Sequence, residues 1–320
     1  MIVGQDKAVD AFAAAWAGRK LHHAWLLAGP RGVGKASFAH AAARRVLADA
    51  AGPPVELPGL KTPDDHPIVK LVEAGSHPDM RWLERLPREK GDGLARDITV
   101  RQIRQLGEFM GMTAALSPWR VAVIDSMDEL NKEASNALLK MLEEPPPNTL
   151  FFLVSHAPGR LLPTIRSRCR RLTFDPLDDG AMTSILGAHS AGLSDAERKR
   201  IVLMSFGSAG RALAFAELGL AKLEEAALAI LRQGDPTNAR RAELASELGK
   251  KASADRYAAF LELAPSLIAR EARSLRGASL ERALDAYAKT RELAAVAPRV
   301  SLDPAATVFQ IGRFLASLKR

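Results

Sequence analysis

The sequence predicts an α/β fold in which a parallel sheet comes first and helices fill the rest of the chain. Three short apolar runs alternate with helical patterns, and this alternation favours parallel pairing. After about Leu172 the pattern becomes helical with few strand signals. Aromatic residues make up only 5% of the chain against 47% hydrophobic residues, which suits helix packing better than an all-β sandwich. We expect ligand chemistry at the carboxyl ends of the strands.

The first strand, turn and helix lie near the N-terminus. The apolar run Ala24 to Ala28 predicts a buried strand, and the 3.6-residue periodicity of Lys35 to Leu47 predicts a helix. Between them, Gly29-Pro30-Arg31-Gly32-Val33-Gly34-Lys35-Ala36 matches the phosphate-loop pattern G-x-x-x-x-G-K-[ST] except at its last position. The stretch 51–67 holds five prolines and predicts a loop or insertion.

Two further strands complete the predicted sheet. Thr99 to Met110 predicts a helix, and Val121 to Asp125 predicts a second buried strand that ends in an acid. Asn131 is suited to cap the next helix, which Pro145-Pro146-Pro147 stops. Leu150 to Ser155 predicts the third strand.

The later part of the chain divides at turn-forming residues. Asp175-Pro176-Leu177 predicts a domain boundary, while Gly207-Ser208-Ala209-Gly210 and Gly234-Asp235-Pro236 predict breaks between helices. From about Leu218 to Arg320 the chain is Ala/Leu-rich helix with charged faces. The predicted domains span residues 1–172, 173–217 and 218–320.

Composition excludes several classes of protein. The single cysteine, Cys169, rules out an internal disulfide framework and a zinc site built on two or more cysteines. The N-terminal residues show no signal peptide and no 18-residue apolar run occurs, so we expect a cytoplasmic protein without membrane spans. A net charge of +8 suggests a polyanion nearby, although a mildly basic surface without any target explains it equally well.

The phosphate loop has the shape of a nucleotide site with one component missing. Its glycines let backbone N–H groups turn onto a phosphate, and its lysine reaches the outer phosphates. Ala36 replaces the hydroxyl that would hold Mg²⁺. Ser37 is one residue late, about 100° further round the helix. The residues of this candidate phosphate site are Gly29, Gly32, Gly34 and Lys35.

Five segments together carry a family resemblance. They are Ile2-Val3-Gly4-Gln5, an N-terminal box; Leu21 to Gly29, a first strand; Asn136 to Pro146, close to N-A-L-L-K-x-L-E-E-P-P; Ser167-Arg168-Cys169, an S-R-C motif; and Gly207 to Leu213, a sensor 2 region. In these segments the chain resembles the AAA+ clamp-loader subunits of bacterial DNA polymerase III. The resemblance covers residues 1 to about 215, and beyond them only helical character and length agree.

The resemblance implies an AAA+ P-loop domain, a small helical lid domain and a C-terminal all-α collar domain. Asp125 suits the metal-side acid of the family's second motif, but the following residue, normally a catalytic Glu, is Ser126. With Ala36 also in place, the chain is expected not to hydrolyse ATP, while nucleotide binding stays open. Ser155, at the sensor 1 position, and Arg211, at the sensor 2 position, are then structural remnants.

In this family the arginine of the S-R-C motif enters a neighbouring subunit's ATP site as an arginine finger. Residues 160–171 contain five arginines, and no Asp or Glu occurs from Pro145 to Phe174, so we expect Arg168 to have no intrachain partner and to act in trans. A solvated basic loop or a DNA-backbone contact is the alternative, which we favour for Arg166, Arg170 and Arg171. Cys169 is expected to be a small buried hydrophobe.

The sequence departs from the family pattern at the zinc module. Many members carry four cysteines after the first helix, where this chain has its proline-rich stretch without cysteine. His66 and His77 remain, and we expect both to be surface residues. The chain is therefore predicted to bind no zinc and no other metal.

The function implied by the resemblance is that of a non-catalytic clamp-loader subunit within a DNA-directed DNA polymerase holoenzyme. Its partners would be the gamma/tau and delta subunits, with the sliding clamp and primed DNA reached through the complex. The C-terminal helices would form the collar through which subunits assemble. Two alternatives stay open at this point: an active gamma-type ATPase, and an unrelated regulatory P-loop protein.

Overall fold

A computed structural model describes residues 2–88 and 93–319 of the chain. The chain forms two compact units, Met1–Ala181 and Met182–Arg320. The first unit holds a parallel sheet with helices on both faces, and the described residues of the second unit form helices and connecting turns. The change near Leu172 that the sequence predicts therefore falls close to the boundary between the two units.

Five parallel strands form the sheet in the order β2-β3-β4-β1-β5. They are β1 (Ala24–Ala28), β2 (Met80–Leu83), β3 (Arg120–Asp125), β4 (Thr149–Ser155) and β5 (Arg170–Thr173). The three predicted strands are confirmed as β1, β3 and β4, the centre of the sheet. The two edge strands were missed because they are short and interrupted by arginines, so neither makes a continuous apolar run.

Helices cover both faces of the sheet. The first unit contains α1 (Asp6–Ala17), α2 (Lys35–Ala51), α3 (Pro67–Glu73), α4 (Val100–Gly111), α5 (Lys132–Glu143) and α6 (Pro163–Arg166). The predicted cap is confirmed, because the Asn131 side chain accepts the backbone N–H of Ala134 at 2.8 Å. The proline-rich stretch is a loop that ends where α3 begins, as predicted.

Alternate strand residues feed two separate cores. On one face, Phe12 of α1 packs its ring 5.1 Å from Trp25 and 5.3 Å from Phe152. On the other face, Phe151 packs with residues of α4 and α5 such as Leu138. Every residue of β1 and β4 is buried, which accounts for their continuous apolar sequences.

The second unit is helical, as predicted. Its elements are α7 (Asp179–His189), which begins in the first unit, α8 (Asp195–Ser205), α9 (Ala209–Glu217), α10 (Leu220–Gln233), α11 (Ala239–Leu248), α12 (Ala254–Ala272), α13 (Gly277–Val296) and α14 (Pro304–Ala316). The predicted breaks at 207–210 and 234–236 separate α8 from α9 and α10 from α11. Among the described residues, no helix is long and apolar enough to span a membrane.

Three helices of this unit meet at a buried carboxylate. Glu224 of α10 is almost fully buried and pairs with Arg270 of α12 at 2.8 Å and with Arg200 of α8 at 3.7 Å. This cluster joins helices from both sides of residue 217. The division into a lid (173–217) and a collar (218–320) stays a prediction.

Candidate functional site

The parallel sheet has two chemically different ends. Because all five strands run the same way, the residues that follow β1, β3 and β4 meet at one end, here called the carboxyl end. Residues that precede the strands meet at the other, the amino end. The phosphate loop and Asp125 belong to the carboxyl end, whereas Arg168, which precedes β5, belongs to the amino end.

The phosphate loop has the backbone that a phosphate needs. Gly32 has a φ of 77° and Gly34 a φ of 99°, both in the left-handed region that favours glycine. Gly29 lies so close to the backbone of Phe174 that a Cβ would sit 2.1 Å from its carbonyl oxygen. Helix α2 begins directly after Gly34, so its N-terminal N–H groups and dipole face the loop. The cradle therefore fits a phosphate group.

Lys35 is satisfied within its own loop. Its side chain is buried, and Nζ donates to the carbonyl oxygen of Gly29 at 2.7 Å and to that of the following residue. Burial lowers the pKa of Lys35 to about 8, an effect that Asp125 and Asp128 oppose and Arg31 reinforces. A bound phosphate would have to draw this ammonium away from the carbonyl groups that now hold it.

The metal side of the cradle does not fit Mg²⁺. Asp125 ends β3 as predicted, but burial raises the pKa of its carboxyl, and Glu129 and Glu84 raise it further. Position 36 is alanine and offers no oxygen ligand. Ser126 is buried, and its hydroxyl has no hydrogen-bond partner among the described residues. The loop therefore has a backbone that fits a phosphate, while positions 36 and 126 offer neither a metal ligand nor a water-activating acid.

The acid at position 128 supports the backbone. The Asp128 carboxylate accepts the hydroxyl of Ser155 and the backbone N–H groups of His156 and Ala157, at 2.5 to 3.1 Å. Ser155 is fully buried at the end of β4. The predicted sensor 1 residue therefore helps to fasten the β3 and β4 loops together.

Glu129 is held between two arginines. It pairs with Arg85 at 2.9 Å and with Arg31 of the phosphate loop at 3.7 Å, beside a cavity of about 190 Å³. His156 lines the same cavity. Burial lowers its pKa to about 4, with Lys35 and Arg31 adding to the effect. Sequence reasoning missed Arg85 and His156, although the position of His156 directly after β4 was a usable signal.

The N-terminal box supports the phosphate loop. The Gln5 amide is buried and donates to the carbonyl oxygens of Val33 at 3.1 Å and Asp175 at 2.9 Å. One side chain thus connects the start of the chain, the phosphate loop and the segment after β5. The resemblance identified this box, but no sequence pattern revealed its contacts.

Arg168 has an intrachain partner, so the expectation that it has none was wrong. Its Nη2 lies 2.8 Å from Oε1 of Glu143, and its Nη1 donates to the carbonyl oxygen of Thr164 at 2.9 Å. The acid was missed because it lies at the end of α5, outside the acid-free stretch around Arg168. Both side chains stay partly exposed, 36% for Arg168 and 41% for Glu143.

Arg168 also lies at the end of the sheet opposite the phosphate loop. Arg170 of β5 is level with Trp25 near the start of β1, and His23 Nε2 lies 3.1 Å from the carbonyl oxygen of Leu142 at the end of α5. The stretch from Trp25 to Gly29 spans about 13 Å at the usual rise per residue. Arg168 therefore lies apart from the carboxyl end, where the sequence predicts ligand chemistry, and its role stays a prediction.

The arginine-rich segment around Arg168 is partly regular structure. Arg170 and Arg171 lie on β5, and the Arg170 guanidinium sits 5.0 Å above the Trp25 ring. Burial raises the pKa of the Cys169 thiol to about 12, consistent with a packing residue. Among the five arginines of 160–171, Arg168 remains the one that the motif singles out.

The predicted sensor 2 residue is engaged inside the second unit. Arg211 lies on α9, and its Nη2 is 3.5 Å from Oε2 of Glu262 on α12. The role of Arg211 as a structural remnant of sensor 2 stays a prediction.

His66 and His77 are buried, so the expectation that they are surface residues was wrong. They are 5% and 2% exposed. His66 caps α3 by accepting the Ile68 N–H at 3.3 Å, and His77 accepts the Asp79 N–H at 3.1 Å. Each imidazole ring thus accepts the backbone N–H of the residue two positions further along the chain. No cluster of three or more potential metal ligands occurs in the described part of the chain, and absence of zinc stays a prediction.

Asp79 supports the amino end much as Asp128 supports the carboxyl end. Its buried carboxylate accepts the backbone N–H groups of Ala115, Leu116 and Ser117 at 2.6 to 2.8 Å. Burial raises the pKa of Asp79, but these donors together outweigh burial and hold it below its usual range.

Comparison with known proteins gives a family match over the first unit. A family model described as DNA polymerase III, delta subunit, matches residues 4–178. The DNA polymerase III subunit delta' of Pseudomonas aeruginosa is 41% identical over 156 residues, covering 48% of this chain and 43% of that protein. The subunit gamma of Buchnera aphidicola is 32% identical over 178 residues, covering 56% of this chain and 45% of that protein. The chain spans about half the length of the curated relatives it matches.

A solved structure extends the likeness to the whole fold. A crystal structure of a DNA polymerase III gamma subunit-related protein from Thermotoga maritima matches with a TM-score of 0.50 and 16% identity, covering 99% of this chain and 100% of that one. At this identity the match concerns the fold alone. With the parallel sheet and the phosphate loop, it confirms the predicted α/β AAA+ fold with a helical C-terminal region.

Proposed function

This chain belongs to the DNA polymerase III delta subunit family, and we propose that it is a delta-prime type clamp-loader subunit that does not hydrolyse ATP itself. One observation carries the proposal. The phosphate cradle keeps its glycines and Lys35, while Ala36 and Ser126 stand where a magnesium ligand and a water-activating acid belong. The next acids along the chain, Asp128 and Glu129, are engaged with the loop after β4 and with two arginines.

The experiment is ATP turnover by the purified full chain in the presence of Mg²⁺. We expect background turnover that is the same in a matched Lys35→Ala variant. Turnover that depends on both Mg²⁺ and Lys35 would contradict the proposal and favour a gamma-type ATPase. Nucleotide binding, measured separately, is compatible with the proposal because the phosphate cradle is intact.

The catalytic contribution of the chain would be made in trans through Arg168. Its position at the amino end supports this, because the sheet separates it from the phosphate loop of its own chain. A guanidinium carries five N–H donors in a planar fork, and those of Arg168 that are not bonded to Glu143 or Thr164 are left for a neighbour's phosphates. An arginine finger stabilises the charge that develops on the transferring phosphoryl group.

The partners follow from this role. They would be gamma/tau and delta subunits, with the sliding clamp and primed DNA reached through the complex in the cytoplasm. Residues 218–320 would form the collar that joins the ring. Co-purification of the full chain with these subunits tests the assignment, and failure to assemble would contradict it.

A further inference from the structure

We propose that Glu143 is a positioning residue for Arg168, holding its guanidinium in the orientation that a neighbour's ATP site requires. This inference rests on the proposed function, since it concerns how the finger is presented. It assigns a role to an acid of the L-E-E-P-P stretch that no motif argument supplied. The pair of atoms that carries it is Nη2 of Arg168 and Oε1 of Glu143, 2.8 Å apart.

Two contacts hold the guanidinium from its own chain. Nη2 meets the Glu143 carboxylate, and Nη1 donates to the carbonyl oxygen of Thr164 in α6. With both terminal nitrogens anchored, the long side chain loses much of its rotamer freedom before any partner arrives. Preorganisation of this kind leaves less entropy to be lost when a phosphate binds.

Glu143 is itself attached to a rigid element. It is the last residue of α5, whose first turn is capped by Asn131 and whose inner face buries Leu138 and Leu142. His23, just before β1, lies 3.1 Å from the carbonyl oxygen of Leu142 and ties this end of the helix to the sheet. The Glu143 carboxylate therefore has a defined position relative to β5 and to Arg168.

The exposure of the pair favours positioning over blocking. Arg168 keeps 36% of its side-chain surface exposed, and its remaining N–H donors are not used by Glu143 or Thr164. A partly exposed ion pair is also weak, so it restrains the guanidinium without competing strongly against the higher charge of a triphosphate. Glu143 thus limits where the arginine points while leaving it available.

The experiment compares reconstituted clamp-loader complexes that contain the full chain with wild-type sequence, Glu143→Gln, Arg168→Ala or both changes. The other ATP sites are inactivated by P-loop lysine substitutions in the subunits that Arg168 does not contact, so that the measured rate reports the site next to this chain. We expect Glu143→Gln to lower kcat about two- to fivefold, the range that a partly exposed ion pair supports, with KM for ATP unchanged. In the Arg168→Ala background it should have no further effect.

Glu144→Gln is the matched control, because this neighbouring acid is exposed and, among the described residues, forms no ion pair. It should match the wild-type rate. An unchanged or faster rate for Glu143→Gln, or a further loss in the Arg168→Ala background, would overturn the positioning role alone. If Arg168→Ala itself leaves the rate unchanged in assembled complexes, the proposed finger fails, and the role of Glu143 fails with it.

Discussion

The two ends of the sheet use their charged side chains differently. At the carboxyl end, Lys35, Asp128 and Glu129 are all engaged with groups of their own chain, two of them with backbone atoms. At the amino end, Arg168 touches one carboxylate and one carbonyl and keeps more than a third of its side chain exposed. The first end retains the shape of a phosphate loop, whereas the second presents a paired but partly exposed arginine.

The two ends of the sheet are alike in how a carboxylate holds their loops in place. One carboxylate at each end collects three donors from a neighbouring loop: Asp128 at the carboxyl end and Asp79 at the amino end. These anchors need no metal and no nucleotide. The fold of the site is therefore maintained with alanine at position 36 and serine at position 126.

The largest expected effect is that of Arg168→Ala on the neighbouring ATP site. Loss of an arginine finger costs on the order of 10³-fold in rate at that site, and the bulk rate falls less because other sites remain. Arg168→Lys should not restore the rate, because an ammonium lacks the planar fork. Steady-state ATPase in rebuilt complexes measures this, with assembly checked by gel filtration.

The stability of Arg168→Ala tests whether Arg168 contributes to folding as the carboxylate anchors do. Since the ion pair of Arg168 is partly exposed, Arg168→Ala should change the free energy of unfolding by less than about 0.5 kcal/mol. A large loss of stability would mean that Arg168 belongs to the scaffold like Asp79. An unchanged ATPase rate would make it an ordinary basic surface residue.

The next largest effect is expected at the amino-end anchor. Asp79→Asn should destabilise the chain by about 3 kcal/mol, because an amide cannot accept three N–H groups as a carboxylate does. Chemical denaturation at neutral pH measures the difference. A loss below about 1 kcal/mol would show that the 115–117 loop is held by other contacts.

The same residue gives a pH dependence with a definite sign. The folded pKa of Asp79 lies below its usual range, so its contribution to stability is present above the unfolded pKa of about 3.9 and is lost as the pH falls through the folded value. The difference in unfolding free energy between the wild type and Asp79→Asn should therefore be constant from about pH 5 to about pH 7. Below about pH 4 this difference should become smaller. A difference in unfolding free energy that becomes larger in acid would contradict the lowered folded-state pKa of Asp79.

A smaller loss is expected at the carboxyl-end anchor. Asp128 is an exposed residue, so water replaces part of what its three donors lose, and Asp128→Asn should cost about 1–2 kcal/mol. Thermal denaturation measures this, with Glu133→Gln on the surface of α5 as the control. If Asp128→Asn were as stable as the control, Asp128 would be free for a catalytic role.

The smallest effect is expected from Glu129→Gln. Its two ion pairs involve partly exposed arginines, and each is worth little, so the free energy of unfolding should fall by less than about 1 kcal/mol. ATP turnover by the isolated chain should stay at background in both forms. Measurable turnover in the wild type that Glu129→Gln removes would identify Glu129 as a displaced water-activating acid.

Much of the sheet could be predicted because its central strands carry their own signal. β1, β3 and β4 are buried along almost their whole length, so each contains an apolar run of four or five residues. Among the edge strands, β2 holds one arginine and β5 begins with two, and four residues are too few to separate such a strand from a loop. Their place was decided by pairing with strands distant in sequence.

The candidate site divides in the same way. The glycines of the phosphate loop, Lys35 and the substitutions at positions 36 and 126 are local in sequence, so a motif reveals them directly. The Glu143 partner of Arg168 is not local in this sense, and neither is the packing that buries His77. The acid-free stretch around Arg168 predicts no partner, and a lone histidine such as His77 is expected on the surface.

By itself, the sequence determined the phosphate-loop scaffold, the absence of its magnesium ligand and the change from a sheet to helices, because these depend on residue type and short-range periodicity. Only the tertiary structure decided that Arg168 lies opposite its own phosphate loop and beside Glu143, and that Asp79 and Asp128 fasten the two ends. The physical reason is that charge pairing and burial depend on distances across the sheet, and parallel pairing brings together segments that are far apart along the chain.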